Sequence, residues 1–185
     1  MRALLLLITL LGVAAVKEPP QTILESLPAT LAGCSRGEYH AYEETGLGGS
    51  VAYRKSGLLV TVYAYDLGKD EIADGVEDET VRKAFEDANA ELLMAKQAGY
   101  YTKVERRKDG MKKEPPDALV SRYVIIRAKG PDSGLELFSE IHVFGARGHV
   151  IKFRISGNQT EEPQSRKILH ELLPSLHKAL EKPVK

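Results

Sequence analysis

The hydrophobic and polar positions in the middle of the chain predict a β-hairpin, then a helix, then a meander of strands. Apolar, β-branched and aromatic residues dominate segments 50–55 and 58–68, and Lys55-Ser56-Gly57 forms the turn between them. Three longer apolar segments follow, separated by glycine-containing turns, which predicts that they pair as antiparallel neighbours. These segments cover residues 118–128, 135–145 and 149–156.

Two further segments repeat apolar residues at the spacing of an amphipathic helix. The first begins after Asp78, which can cap it, and ends before Gly99, a residue type that is common just past a helix end. The second has Pro163 in its first turn and a broad leucine-rich face. Pro174 lies within that face and predicts a kink or a division into two segments, because proline lacks the N–H that a helix interior requires.

The segment 135–145 indicates what covers the sheet. Leu137 and Val143 point to one face, while Phe138 and Phe144 point to the other. A sheet with one solvent-exposed face alternates more cleanly between apolar and polar residues. We therefore expect both faces to be at least partly covered. The predicted fold class is α+β, an antiparallel sheet with a helix on each face, which is a three-layer α/β/α sandwich.

The amino-terminal segment has the pattern of a secretory signal peptide. Met1-Arg2 precedes 14 residues without a charge, which end in small residues. This stretch is shorter than the roughly 20 residues of a membrane-spanning helix. We predict a signal peptide over 1–15 with cleavage near Ala15, Ala14 being the nearby alternative, and an uncleaved anchor remains open. Residues 16–30 contain two adjacent prolines and predict an extended lead-in to a single α+β domain over 31–182.

Cys34 ends a tetrapeptide that matches the lipidation site of bacterial lipoproteins, Leu31-Ala32-Gly33-Cys34. A lipidated cysteine should directly follow the apolar region, whereas here a polar, proline-containing segment intervenes. The match is therefore interpreted as coincidence, and no stable membrane anchor is expected after cleavage. Cys34 is the only cysteine, so a disulfide cannot form within the chain. The protein is expected to be periplasmic or secreted.

The overall charge is balanced, with 26 basic and 26 acidic residues, and does not indicate a nucleic-acid partner. The distribution is less even. Residues 66–79 contain seven acids and one lysine, while residues 103–113 contain six bases and two acids. Both segments are most simply interpreted as solvated loop and helix-end surface.

The order of the elements resembles the PsbP/Mog1-type fold. The segments that carry the resemblance are "SVAYRKSGLLVTVYAYD", "GHVIKFRISG" and the closing helix "EEPQSRKILHELLPSLHKALEK". The lead-in "LPATLAG" and the strand "VTVYAYDLG" are also similar to uncharacterised secreted bacterial proteins. The likeness spans about residues 27–181 and is architectural. It implies a non-enzymatic scaffold, and function has to be argued from a site.

The sequence contains no motif that predicts a cofactor, a metal centre or a catalytic constellation. The segment "GLGGS" lacks the lysine and helix of a phosphate-binding loop. The histidines lack the spacing of zinc ligands on one helix turn. A looser calcium site is an open alternative, with the acidic residues Asp66, Asp70, Glu71 and Asp74.

The preferred functional prediction is an exported, non-catalytic domain that binds a protein or a small ligand of the cell envelope. Tyrosine and arginine dominate contact surfaces. The candidate contact residues are Tyr63, Tyr65, Lys103, Arg106, Arg107 and Lys108. For the tyrosines, half-buried packing within the strand is the preferred interpretation, and contact is the alternative. The alternative function is a hydrolase or metal-dependent enzyme whose site assembles only in three dimensions, from Cys34, His40 and the acidic loop 66–79.

Overall fold

The structure is a computed structural model that describes residues 17–107, 112–114, 117–130 and 132–181. The predicted signal peptide, residues 1–15, and the candidate contact residue Lys108 lie outside these ranges.

Within the described residues, ten strands form one sheet. The strands are β1 (Thr30–Leu31), β2 (Cys34–Arg36), β3 (His40–Ala41), β4 (Gly49–Lys55), β5 (Leu58–Tyr65), β6 (Tyr101–Arg106), β7 (Lys112–Glu114), β8 (Ala118–Arg127), β9 (Glu136–Ala146) and β10 (His149–Asn158). Their order is β1-β2-β4-β5-β10-β9-β8-β6, with β3 beside β4 and β7 beside β8, and neighbouring strands run antiparallel. The predicted hairpin and meander are therefore confirmed, and β10 lies in the centre of the sheet.

Three α-helices accompany the sheet in the described part of the chain: α1 (Pro20–Glu25), α2 (Glu79–Gln97) and α3 (Glu162–Leu180). The Asp78 side chain caps α2 by accepting a hydrogen bond from the Thr80 N–H, as its position before the apolar repeat predicts. Gly99 follows α2 with a φ of 79°, which a residue without a β-carbon adopts at little cost.

The prediction of an extended lead-in over 16–30 is wrong for Pro20–Glu25, which form α1. Pro20 occupies the first helical turn, where its fixed φ is favourable and its missing N–H costs nothing. Ile23 and Leu24 are fully buried, so this short helix is part of the hydrophobic core. Burial of these two side chains stabilises a helix that would be too short to persist alone.

Helix α3 is continuous, which corrects the expectation that Pro174 divides it into two segments. Pro174 is on the exposed side of the helix, while Leu172 and Leu176 on either side of it are fully buried. Packing of these leucines keeps the helix in place across the position where proline removes one backbone hydrogen bond.

The buried apolar side chains form two clusters. One cluster includes residues of α1 and α3, and the other includes residues of α2. Consecutive residues of β5 alternate between them: Val60 and Val62 belong to the first, while Tyr63 and Tyr65 pack in the second. This follows from the alternation of side chains along a strand. The α+β class with an antiparallel sheet is confirmed.

Candidate ligand-binding groove

A groove lies beside α2 on the sheet face that carries Tyr63, Tyr65 and Lys152. The strand register places Lys152 of β10 directly beside Tyr63 of β5. Helix α2 packs mainly against β9 and β6, and its side chains Asp87 and Glu91 line the groove opposite β5. We call this feature the tyrosine–lysine groove.

Two adjoining pockets make up the groove. The larger pocket has a volume of about 340 Å³ and the smaller one about 190 Å³, and both are lined by Tyr63, Glu91 and Lys152. The other residues of the larger pocket are Tyr42, Leu47, Tyr65, Leu67, Ala84 and Asp87. Those of the smaller pocket are Ala88, Leu92, Ala95, Tyr101, Ile141 and Arg154. This size, with apolar and aromatic walls and a few charged groups, is typical of a site for a small molecule.

Lys152 is the central charged group of the groove. Its side chain is 18% exposed, and its Nζ lies 4.7 Å from the ring centroid of Tyr63 and 5.6 Å from that of Tyr65. The nearest carboxylate oxygen, from Glu91, is 3.8 Å away. Burial lowers the pKa of Lys152 and outweighs the opposing effect of Glu91. The ammonium group is thus held by the faces of two aromatic rings and one loose ion pair.

The tyrosines form an aromatic wall of the groove. The rings of Tyr42 and Tyr63 are stacked, with centroids 6.3 Å apart, and the Tyr42 hydroxyl lies 3.1 Å from Ser50 Oγ. Burial, with a smaller contribution from Tyr42, raises the pKa of Tyr63 to about 12. Burial and the carboxylates of Glu91 and Asp87 raise the pKa of Tyr65. Both hydroxyls therefore stay protonated near neutral pH and can donate hydrogen bonds.

Arg154 extends the charged floor of the groove. It follows Lys152 by two residues on β10, so the two side chains share one face of the strand. Its Nη1 is buried and has no hydrogen-bond partner among the residues that the structure describes. A buried guanidinium nitrogen without a partner is unfavourable, and an acceptor that reached it would stabilise the protein.

The predicted contact residues lie in different parts of the structure and make different contacts. Tyr63 and Tyr65 line the groove, Tyr63 half-buried and Tyr65 buried. Lys103 is on edge strand β6, where its Nζ contacts Glu136 at 2.8 Å and Glu105 at 3.3 Å. Arg106 is exposed. Arg107 donates hydrogen bonds to both carboxylate oxygens of Glu162 and to Gln159, so it connects β6 to the start of α3.

The residues proposed for an enzyme do not converge. Cys34 is buried in the cluster that contains α1, and burial raises the pKa of its thiol. His40 is exposed in β3, where its ring contacts Tyr42. Asp66, in the acidic loop, accepts a hydrogen bond from Lys17. Among the described residues, no group of three or more His, Cys, Asp or Glu is arranged to hold a metal ion.

A second charged cluster, which the sequence did not indicate as such, is enclosed beneath α3. Glu140 is 1% exposed, and its carboxylate lies 2.9 Å from His142 Nε2, 3.0 Å from Arg122 Nε and in contact with Arg166. Burial alone would raise the pKa of Glu140, but the hydrogen bond and electrostatic effect of His142, together with the guanidinium groups of Arg166 and Arg122, lower it to about 2. The carboxylate has its partners within the protein, so this cluster joins the sheet to α3.

Comparison with known proteins adds no family assignment, since no family model, no curated protein and no solved structure matches this chain. Across the described residues, no helix has the length and apolar character needed to cross a membrane.

Proposed function

We propose that the protein is an exported, non-catalytic module that binds a small ligand of the cell envelope in the tyrosine–lysine groove. The observation that carries this proposal is Lys152, a largely buried cation on a central strand whose nearest carboxylate is 3.8 Å away. Burying such a charge costs free energy unless it is well paired. A protein that only needed a stable sheet would gain from an apolar residue here, whereas a bound ligand would use the cation.

Support for export comes from the pattern of residues 1–15, in which a basic start and an uncharged apolar stretch end in small residues. Cleavage near Ala15 is the processing step that this pattern predicts. Mass spectrometry of the protein from its native envelope should give an amino-terminus at Val16, or at Ala15 if cleavage follows Ala14. An intact Met1 in a cytosolic fraction would contradict export.

We further propose that the fold is a three-layer α/β/α sandwich of the PsbP/Mog1 type. The support is the division of the core into one cluster with α1 and α3 and another with α2. An experimental structure that can be superposed on a member of that family tests this proposal. Helices that all pack on one face of the sheet would contradict it.

Ligand binding can be tested by intrinsic tyrosine fluorescence, because the chain contains eight tyrosines and no tryptophan. Envelope extracts would be fractionated by size, and the low-molecular-weight fraction would be added to the purified mature domain. We expect a change in emission that Lys152→Met abolishes and Lys103→Met leaves unchanged. Lys103→Met is a matched control, since it removes a lysine from the edge strand. If Lys103→Met instead abolishes binding, the basic stretch of β6 is the contact surface and the groove is not.

A further inference from the structure

We propose that the ligand of the tyrosine–lysine groove is a small organic carboxylate with an aromatic or similarly flat apolar body, whose carboxylate binds between Lys152 and Arg154. This inference rests on the proposed function and specifies the chemical class of the ligand.

The charges of the groove leave an excess of positive charge on its floor. Both oxygens of Asp87 lie 3.0 Å from Lys83 Nζ, so this carboxylate is already paired within α2. Glu91 is 63% exposed and only loosely paired with Lys152. Lys152 and Arg154 are two residues apart on one strand face, a spacing of about 7 Å. A carboxylate between them would bind the ammonium of Lys152 and the guanidinium of Arg154, which lines the smaller pocket.

The walls of the groove fit a flat apolar body. Tyr42, Tyr63 and Tyr65 line the larger pocket, and aromatic side chains bind flat apolar groups by edge-to-face or offset contacts. Leu47 and Leu67 stand at the rim with 36% and 41% of their surface exposed. The Gly46 carbonyl accepts hydrogen bonds from the Asp66 and Leu67 N–H groups and so joins the two loops.

Leu67 adopts a φ of 53°, which is unfavourable for a leucine. The loop therefore holds an apolar side chain at the rim at a cost in backbone energy, where a glycine would adopt this φ without that cost. A body that covers both rim leucines would remove exposed apolar surface from water.

The same lining disfavours the other common classes of ligand. An amine would meet two cations at the floor of the groove, while the carboxylates of Glu91 and Asp87 in the lining already pair with Lys152 and Lys83. Besides basic side chains, a phosphate dianion is typically bound by several backbone N–H groups at a helix N-terminus. Here α2 contributes side chains from its middle and later turns, Ala84 to Ala95, and its first residue Glu79 is not part of the lining.

The test compares three probes of the same shape: 3-phenylpropionate, 3-phenylpropanamide and 3-phenylpropylamine. Each is titrated into the ¹⁵N-labelled mature domain, and binding is followed by the amide shifts of the groove residues. We expect the carboxylate to bind at least tenfold more tightly than the amide, and the amine to bind most weakly. In Lys152→Met the preference for the carboxylate over the amide should disappear, while Lys103→Met should keep it. If Lys152→Met does not fold, Arg154→Gln provides the same comparison.

The outcomes separate this inference from the proposed function. Amide or amine binding in the groove as tight as that of the carboxylate would overturn the inference and leave the groove as a binding site. Absence of groove shifts with all three probes, in a correctly folded protein, would overturn both. A carboxylate preference that survives both Lys152→Met and Arg154→Gln would also overturn the inference, because the charge would then be bound elsewhere.

Discussion

Replacing His177 by phenylalanine should remove a large part of the loss of stability that the protein undergoes between neutral pH and pH 4. The imidazole is 4% exposed and stacks on Phe144 with centroids 4.0 Å apart. It also meets the edge of Phe153 at 5.3 Å. A phenylalanine ring preserves these aromatic contacts and cannot bind a proton. The substitution therefore changes the titration more than the packing.

The magnitude follows from the pKa of His177. Burial, and then the electrostatic effect of His142, lower the pKa of His177 from 6.5 to about 4, against a smaller opposing effect of Asp117. In this pH range the unfolded chain binds a proton that the folded protein does not. The stability that depends on neutral His177 is thus fully present above pH 6.5 and is lost as the pH falls to about 4. At about 1.4 kcal/mol per pH unit, the loss amounts to about 3 kcal/mol.

The assay is urea unfolding of the purified protein at several pH values from 7.5 to 4, with wild type and His177→Phe side by side. Other groups titrate in both proteins and cancel in the difference. We expect the wild type to lose about 3 kcal/mol more than the variant over this range. His170→Gln is the matched control, because His170 is exposed on the same helix. Equal pH dependence of wild type and His177→Phe would refute the explanation.

Three further predictions address the helix cap, the charged cluster and the thiol. Asp78→Ala should lower the free energy of unfolding by about 1 kcal/mol, because the N–H groups of Thr80 and Ala73 lose their acceptor; an unchanged thermal melt would contradict the cap. Glu140→Gln should lower the free energy of unfolding by about 3 kcal/mol at pH 7, measured by urea unfolding. This loss should become smaller as the pH falls from 4.5 towards 2, because the lowered pKa of Glu140 contributes stability only while the carboxylate is ionised. A loss of stability that does not change with pH, or that equals the loss in the exposed control Glu136→Gln, would show that ionisation of Glu140 is not its cause. Cys34 should react with Ellman's reagent at pH 8 at least a hundredfold more slowly in the folded protein than in urea, because burial raises the pKa of its thiol. Equal rates would show that the thiol is accessible in the folded protein.

The parts of the fold that local pattern determines could be predicted from the sequence, and those that depend on distant partners could not. The cap of α2 and the meander follow from residue type and spacing. Helix α1 was missed because adjacent prolines usually indicate extended chain, whereas here burial of Ile23 and Leu24 stabilises a helical turn. The continuity of α3 through Pro174 likewise depends on packing against the sheet, which no local pattern contains.

The candidate site was predicted in part for the same reason. Tyr63 and Tyr65 were recognisable on an aromatic-rich strand. Lys152 and Arg154 were overlooked, although the segment "IKFRIS" places two cations on one face of an apolar strand. That signal becomes specific only when β10 is known to be central, because charged side chains are ordinary on an edge strand and unusual between two neighbours.

Buried charge is compensated differently near α3 and near α2, and this contrast is the strongest argument for the proposed groove. Beneath α3, Glu140 has its positive partners inside the protein, so its charge is compensated. Beside α2, Lys152 and Arg154 lie next to each other, with Glu91 as a loose and exposed partner. The same chain thus neutralises buried charge closely beneath α3 and only loosely at the groove, where Glu91 is the partner. Because incompletely compensated buried charge lowers stability, its presence beside a tyrosine-lined pocket supports the proposal of a ligand that supplies a further negative group.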